Sequence, residues 1–281
     1  MNILGIDFED WYHPELVKPY VNESEKKPIM GKYIDDILDW LKENNTFATF
    51  FVVGDLIKEE PNMPDKILSQ GHEIGFHTMS HTKLDTESTE EKFEKEIIEF
   101  AEITNNKSKG FRAPTFSLNE KSAWIIDVLV RNNYLYDSSI VPVKTSMYGV
   151  ENAPKYPYRI SKNKINSENS DGHLIEFPIL TGSLLGKKMP FGGGFYLRTL
   201  PMKVIKNAIK SNEKKNIPST FYIHSWELLS EKMPRLQLPK KEHFVTYHNL
   251  DKSRNKMTEI INQFSFTSFE RFLAKENNLF K

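Results

Sequence analysis

The sequence predicts a single α/β domain built as a (β/α) barrel, incomplete or distorted, and three observations carry that expectation. Short apolar runs with strand character alternate with segments of helical period along most of the chain. Ionisable residues collect where those runs end, which is where α/β folds place their chemistry. The 281 residues are 38% hydrophobic, enough to bury one large core, so residues 1–281 are read as one domain.

Residues 2–8 form an apolar run that ends in acids, as a buried strand delivering polar groups from its C-terminal end would. After a loop with Pro14, Pro19 and Pro28, residues 33–44 place Ile34, Ile37, Leu38 and Leu41 on one helical face. Residues 46–53 then read as a second core strand closed by Gly54, which completes a parallel strand-helix-strand unit. A helix over 62–70, a short strand into Phe76 and a Glu-rich helix over 87–104 follow.

Phe111-Arg112-Ala113-Pro114 reads as a strand end, because Pro114 cannot pair onward. A helix over 119–132 leads to a strand-like stretch at 134–139. Over 140–173 periodicity fades among Pro, Asn and Ser, and we expect an irregular insertion there. A strand resumes over 174–180, and a helix over 201–216 starts suitably at Pro201. Residues 220–224 form a late strand with His224 at its end. A second irregular stretch at 234–248, a helix, a short strand near 263–265 and a last helix from Ser268 close the chain.

Composition excludes several function classes. Lys+Arg and Asp+Glu both number 38 and are interspersed, so no net field or basic stripe favours nucleic acid. The absence of cysteine removes disulfides, thiolate ligands and a cysteine nucleophile, which leaves N and O ligands for any metal. The first ten residues lack a basic leader, and no stretch approaches the ~20 apolar residues of a membrane span. The expectation is a cytoplasmic protein without a membrane span.

The chemistry centres on Gly71-His72-Glu73-Ile74-Gly75-Phe76-His77-Thr78-Met79-Ser80-His81. His77 and His81 are four apart, a spacing that brings two imidazoles to one face of a helical turn. Asp10 is the expected third metal ligand, giving two imidazoles and one carboxylate with positions left open for a divalent ion. A nearby carboxylate, Glu9 or Asp7, is the candidate base, Arg112 its orienting partner, and His224 the donor of a proton to a leaving amine. The sum is a metal-assisted amide hydrolase.

These motifs resemble the polysaccharide deacetylases of carbohydrate esterase family 4, the NodB-homology domain, over about residues 4–226. Gly71 to His81 is similar to the family's His-(Ser/Thr)-x-x-His motif with its preceding Gly-His-Glu-Ile-Gly. Phe8-Glu9-Asp10 resembles Phe-Asp-Asp, whose first acid is the base and whose second is a metal ligand. Arg112-Ala113-Pro114 resembles Arg-x-Pro, Tyr136-Asp137-Ser138-Ser139 is a variant of the fourth motif, and Ile223-His224 resembles the last, where the histidine is the general acid. The resemblance implies a deformed (β/α) barrel, zinc as the usual ion, an N-acetylated sugar substrate, and an oxyanion donor at the Thr115 backbone N–H. Zinc is the expected cofactor, although a site of two histidines and one aspartate also accepts cobalt or nickel.

The sequence departs from that pattern at Glu9, where the family has Asp. Register alone favours Glu9 as base, with Asp7 as the alternative. Trp11 and Trp226 flank the motifs and are candidates to stack on a sugar ring. The opening Asp7-Phe8-Glu9-Asp10-Trp11, the loop Pro190-Phe191-Gly192-Gly193-Gly194-Phe195-Tyr196 and the ending His224-Ser225-Trp226-Glu227 are most similar to a subgroup associated with exopolysaccharide and lipopolysaccharide assembly. Two other readings stay open, hydrolysis of a non-sugar C–N bond such as a ureide, and glycan binding without catalysis.

Overall fold

The computed structural model describes residues 1–276. Its strands are β1 (Asn2–Phe8), β2 (Thr49–Val52), β3 (Glu73–Phe76), β4 (Gly110–Phe111), β5 (Tyr136–Asp137), β6 (Tyr158–Ile160), β7 (Leu174–Glu176), β8 (Thr181–Leu184), β9 (Lys187–Pro190), β10 (Thr220–His224) and β11 (Phe266–Thr267). The main sheet runs β10-β1-β2-β3-β4-β5-β7, all parallel, with β6 antiparallel on β7 and β11 beside the start of β1. Past β7 the chain swings back to β10, where Ile179 bridges Thr220 and Leu180 N–H donates to the Thr220 carbonyl at 3.0 Å. That contact draws the sheet into the deformed barrel that the alternating pattern predicts.

Side chains alternate across each strand, so every strand contributes to two layers. The outward residues Leu4, Ile6, Phe8, Phe50, Val52, Ile74 and Phe76 pack with the surrounding helices in the largest core cluster. Helix Ile34–Glu43 joins that layer through Ile34, Ile37, Leu38 and Leu41, the face its period marked out. Helix Glu90–Ile103 starts at Thr89, whose side chain accepts from Lys92 N–H and caps the first turn.

Inward residues fill the barrel floor, where Ile3, Phe51, Tyr136, Phe177, Phe269 and Phe272 form their own cluster. The last helix, Phe269–Lys275, plugs that floor: Phe269 stacks on Tyr136 with ring centres 4.8 Å apart. Glu73 lies beside the plug, accepting from Tyr136 Oη at 2.7 Å, Glu270 N–H at 2.9 Å and Thr49 Oγ1. Burial pushes its carboxyl up to about 7 against those hydrogen bonds.

Several expected boundaries move. Residues 234–248 include a helix, Lys240–Tyr247, in place of an irregular stretch, and the final strand lies at Phe266–Thr267 and not at 263–265. The helix expected over 119–132 is regular only from Ile125 to Arg131. Pro201 sits at the cap position before helix Met202–Glu213, not within its first turn. Within 140–173 the chain forms β6 among turns. The β8–β9 hairpin and the short helices Gly54–Glu59 and Gly194–Thr199 were not marked by periodicity. Among the described residues no helix is long and apolar enough to cross a membrane.

Candidate active site

Sheet register brings the polar strand ends to one level. Asp7 pairs across with His224, while Phe76, Phe111 and Asp137 stand in one row, so His77, Arg112 and Ser138 follow at equal height. Asp7, Glu9, His77, His81, Thr115, His224 and Trp226 all line one cavity at this end of the barrel.

Glu9, not Asp10, completes the cluster with the two histidines. Ligand atoms of Glu9, His77 and His81 lie within 4.8 Å of one another. Glu9 Oε2 is 2.5 Å from His81 Nε2 and 4.0 Å from His77 Nε2. Asp10 turns the other way and accepts from the N–H groups of Trp11 at 2.9 Å, Ile29 at 2.6 Å and Met30 at 3.0 Å, which ties down the loop after β1. The cause is the two-residue period of an extended chain: Asp7 and Glu9 share the inner face, and Asp10 falls outside it. Asp10, expected as a ligand, thus lies outside the cluster, and Glu9, expected as the favoured base, lies inside it.

His77 and His81 do not sit on a helix. Residues 77–82 form a loop in which Thr78 and His81 have left-handed backbones, φ 61° and 55°. Side-chain and backbone contacts hold this uncommon shape: Thr82 N–H donates to Thr78 Oγ1, Gly54 N–H to the Thr78 carbonyl, and Met79 N–H to Glu96. His77 Nδ1 lies 2.7 Å from the Arg112 carbonyl, which assigns the proton to Nδ1 and leaves Nε2 as a lone-pair donor toward Glu9. Burial lowers the His77 imidazole to about 4, so it is neutral at neutral pH, as a metal ligand must be. His81 stacks on buried His13 with ring centres 5.4 Å apart.

The donor set fits a divalent ion. Two imidazoles and one carboxylate converge in a buried pocket, the N and O chemistry of zinc-type sites. His81 Nδ1 is buried without a hydrogen-bond partner among the described residues, an unmet polar atom that calls for an ion or water.

Two polar groups flank the cluster. On one side, Arg112 Nη1 donates to Asp7 Oδ1 at 2.6 Å, and among the described residues Arg112 is the only donor to the Asp7 carboxylate. Arg112 is itself fully buried, fixed by Nε to the Ser138 carbonyl at 2.9 Å and Nη2 to Ser138 Oγ at 2.8 Å, and lies over the Phe51 ring. On the other side, His224 Nδ1 is 2.7 Å from Glu227 Oε2, and Glu227 Oε1 is 2.9 Å from buried Arg198 Nε. Burial opposes the charged form of His224, but Glu227, Glu9 and Asp7 together outweigh it and raise the imidazole to about 9.

The remaining expected residues separate. Thr115 lines the cavity in a left-handed conformation, φ 54°, an uncommon state for a β-branched residue. Trp226 stacks on His224 and donates from Nε1 to Glu9 Oε1 at 2.8 Å, so it braces the site. Trp11 is not in the cavity: it is buried in the outer core and donates to the Lys27 carbonyl. The glycine run serves closure of the barrel, since Gly193 has φ 145° and a Cβ there would meet the Tyr222 carbonyl oxygen at 1.9 Å.

Sequence reading missed Glu227 and Arg198. The His224-Ser225-Trp226-Glu227 spacing held the signal for the first, because a turn starting at His224 carries the third residue on back to the ring. Nothing local marks Arg198, whose partners are Glu227 and the carbonyls of Val245, Thr246 and His248.

Known proteins resemble this chain in sequence and in fold. A sequence profile of the polysaccharide deacetylase family matches residues 25–130, and one of a domain of unknown function, DUF3473, matches 138–274. A peptidoglycan-N-acetylglucosamine deacetylase of Bacillus cereus is 39% identical over 74 residues, 26% of each chain. A chitooligosaccharide deacetylase of Rhizobium leguminosarum bv. trifolii is 34% identical over 96 residues, 34% of this chain and 43% of the relative. The matched segments thus span less than half the length of these relatives. Among solved structures, a Mycobacterium smegmatis protein assigned as a polysaccharide deacetylase superposes with TM-score 0.60 at 15% identity, covering 98% of this chain and 90% of that one. The Puue allantoinase superposes with TM-score 0.54 at 13% identity, covering 97% and 91%. Both likenesses establish the fold. Over residues 25–130 the chain matches the polysaccharide deacetylase family model, and there it is similar to that family.

Proposed function

We propose that the protein is a metal-dependent hydrolase that removes an N-acyl group, acetyl in the simplest case, from an amino sugar of a cell-surface polysaccharide or its precursor. The observation that carries the reading is a single cavity holding the Glu9, His77 and His81 cluster between Asp7 with Arg112 and His224 with Glu227. The deacetylase names of the sequence relatives supply the substrate class.

A divalent ion, zinc first among those the donor set accepts, supplies a Lewis acid that polarises the acyl carbonyl when bound. Asp7 takes a proton from the attacking water, and Arg112 fixes the carboxylate by holding one of its oxygens. The Thr115 N–H donates to the oxygen that gains charge as water adds to the carbonyl carbon. His224, protonated and with Nδ1–H donated to Glu227, gives its Nε2 proton to the nitrogen as the C–N bond breaks. The products are the free carboxylic acid and the amine. Purified protein loaded with zinc or cobalt should release acetate from a panel of N-acetylated glycans and sugar precursors. Turnover of ureides with no acyl release from any sugar would replace this reading with non-sugar C–N hydrolysis.

The role of Glu227 has its own readout. Activity that needs protonated His224 is lost as pH rises through the raised value of about 9. Glu227→Gln removes the largest raising cause, so the alkaline limb of the kcat/KM profile should move to lower pH, toward the ordinary histidine value of 6.5. A profile with an unmoved alkaline limb would exclude the pair as the source of that limb.

A further inference from the structure

We infer that the β8–β9 hairpin, with the adjoining loop 142–155, docks the protein on an anionic lipid surface beside the mouth of the catalytic cavity. The hairpin turns through two residues, Leu185 and Gly186, with φ 51° and 78°. Positive φ at both central positions is the geometry that selects Asn-Gly, and leucine resists it. Leu185 is nevertheless there and 99% exposed. Neither turn chemistry nor core packing accounts for it. The tip also projects from the body, since the space where a side chain on Gly186 would stand is empty to 4 Å.

Cations surround this apolar tip. Lys187 and Lys188 follow it directly, and Lys144 and Lys155 line a cleft together with Gly186 and Lys188. All four lysines are exposed, and among the described residues none has a carboxylate within ion-pair distance, although Glu151 also lines the cleft. The excess is local, because the whole chain balances 38 basic with 38 acidic residues. The same loop carries Met147, with Tyr156 just after it, each 44% exposed, and Met147 and Tyr148 reach the catalytic cavity. One surface loop therefore joins the cationic tip to the active-site mouth.

An apolar side chain flanked by amines matches a bilayer surface, where acyl chains lie beneath anionic headgroups. A soluble polyanion would engage the lysines and leave Leu185 in water. A second copy of the chain would present the same lysines to each other across the contact. One leucine and a few lysines make a weak and reversible attachment, suited to an enzyme that samples a surface. The docking does not rest on the deacetylase reading.

Flotation with vesicles tests it on the full chain. The protein should float with phosphatidylcholine and phosphatidylglycerol mixed in equal parts and stay behind with phosphatidylcholine alone. Leu185→Asn suits the turn, so thermal melting should hold or rise while partitioning weakens by about tenfold. Lys187→Glu combined with Lys188→Glu should abolish flotation, as should high salt. The inference is overturned if the unmodified protein does not float with mixed vesicles at low ionic strength. It is overturned equally if Leu185→Asn leaves binding unchanged while the lysine variant loses it, which marks a plain polyanion site. A lowered melting temperature in Leu185→Asn, or a dimer that this variant dissolves, would assign Leu185 to folding or self-association instead.

Discussion

His77→Ala and Glu9→Ala should each remove stoichiometric metal and lower kcat/KM by on the order of a thousandfold or more, several kcal/mol of lost transition-state stabilisation. Each removes one of the three donors that lie within 4.8 Å of one another. Asp10→Ala is the contrasting case. Its carboxylate accepts from Trp11, Ile29 and Met30 N–H groups, so its removal strands buried backbone donors and should cost roughly 2–3 kcal/mol of stability. Metal content by elemental analysis, read beside thermal melting, separates the two. Loss of metal from a fully folded Asp10→Ala variant, with metal retained in Glu9→Ala, would restore the reading that the family motif suggested.

The contrast between Glu9 and Asp10 marks how much of the site is legible in the sequence. The convergence of polar strand ends was legible because it follows from parallel alternation and needs no long-range detail. Within Asp7-Phe8-Glu9-Asp10 the resemblance points to two adjacent acids, whereas the strand that ends at Phe8 keeps Asp7 and Glu9 in phase and sends Asp10 away. Alternation was visible in the sequence and outranks the motif here. The pair His77 and His81 was placed together by spacing, yet the route is a left-handed loop held by Gly54, Thr82 and Glu96, contacts that no local pattern reports. Trp11 and Trp226 look alike beside their motifs, and only tertiary packing sends one to the core and the other to the cavity. The Gly192 to Gly194 run lets the chain pass close to the β10 backbone at Tyr222, a neighbour that no local pattern names.

Asp7→Asn should lower kcat by on the order of a hundredfold to ten-thousandfold with metal content unchanged. The amide oxygen of asparagine can still accept from Arg112, so the substitution removes the proton acceptor while keeping its support. KM should move little if substrate binds through the cavity walls. Glu9→Gln would behave differently, because it alters a ligand atom and should lose metal along with activity. Arg112→Leu is a third pattern: it leaves Asp7 as a buried carboxylate without its partner, and such losses commonly cost 3–5 kcal/mol, so the fold itself should weaken by roughly that amount. A base, a ligand and a support thus differ in three independent readouts: turnover, bound metal and melting. If Asp7→Asn retained full turnover with its metal in place, proton transfer would have to start elsewhere in the cavity, and the Asp7–Arg112 pair would be a structural ion pair at the barrel's centre.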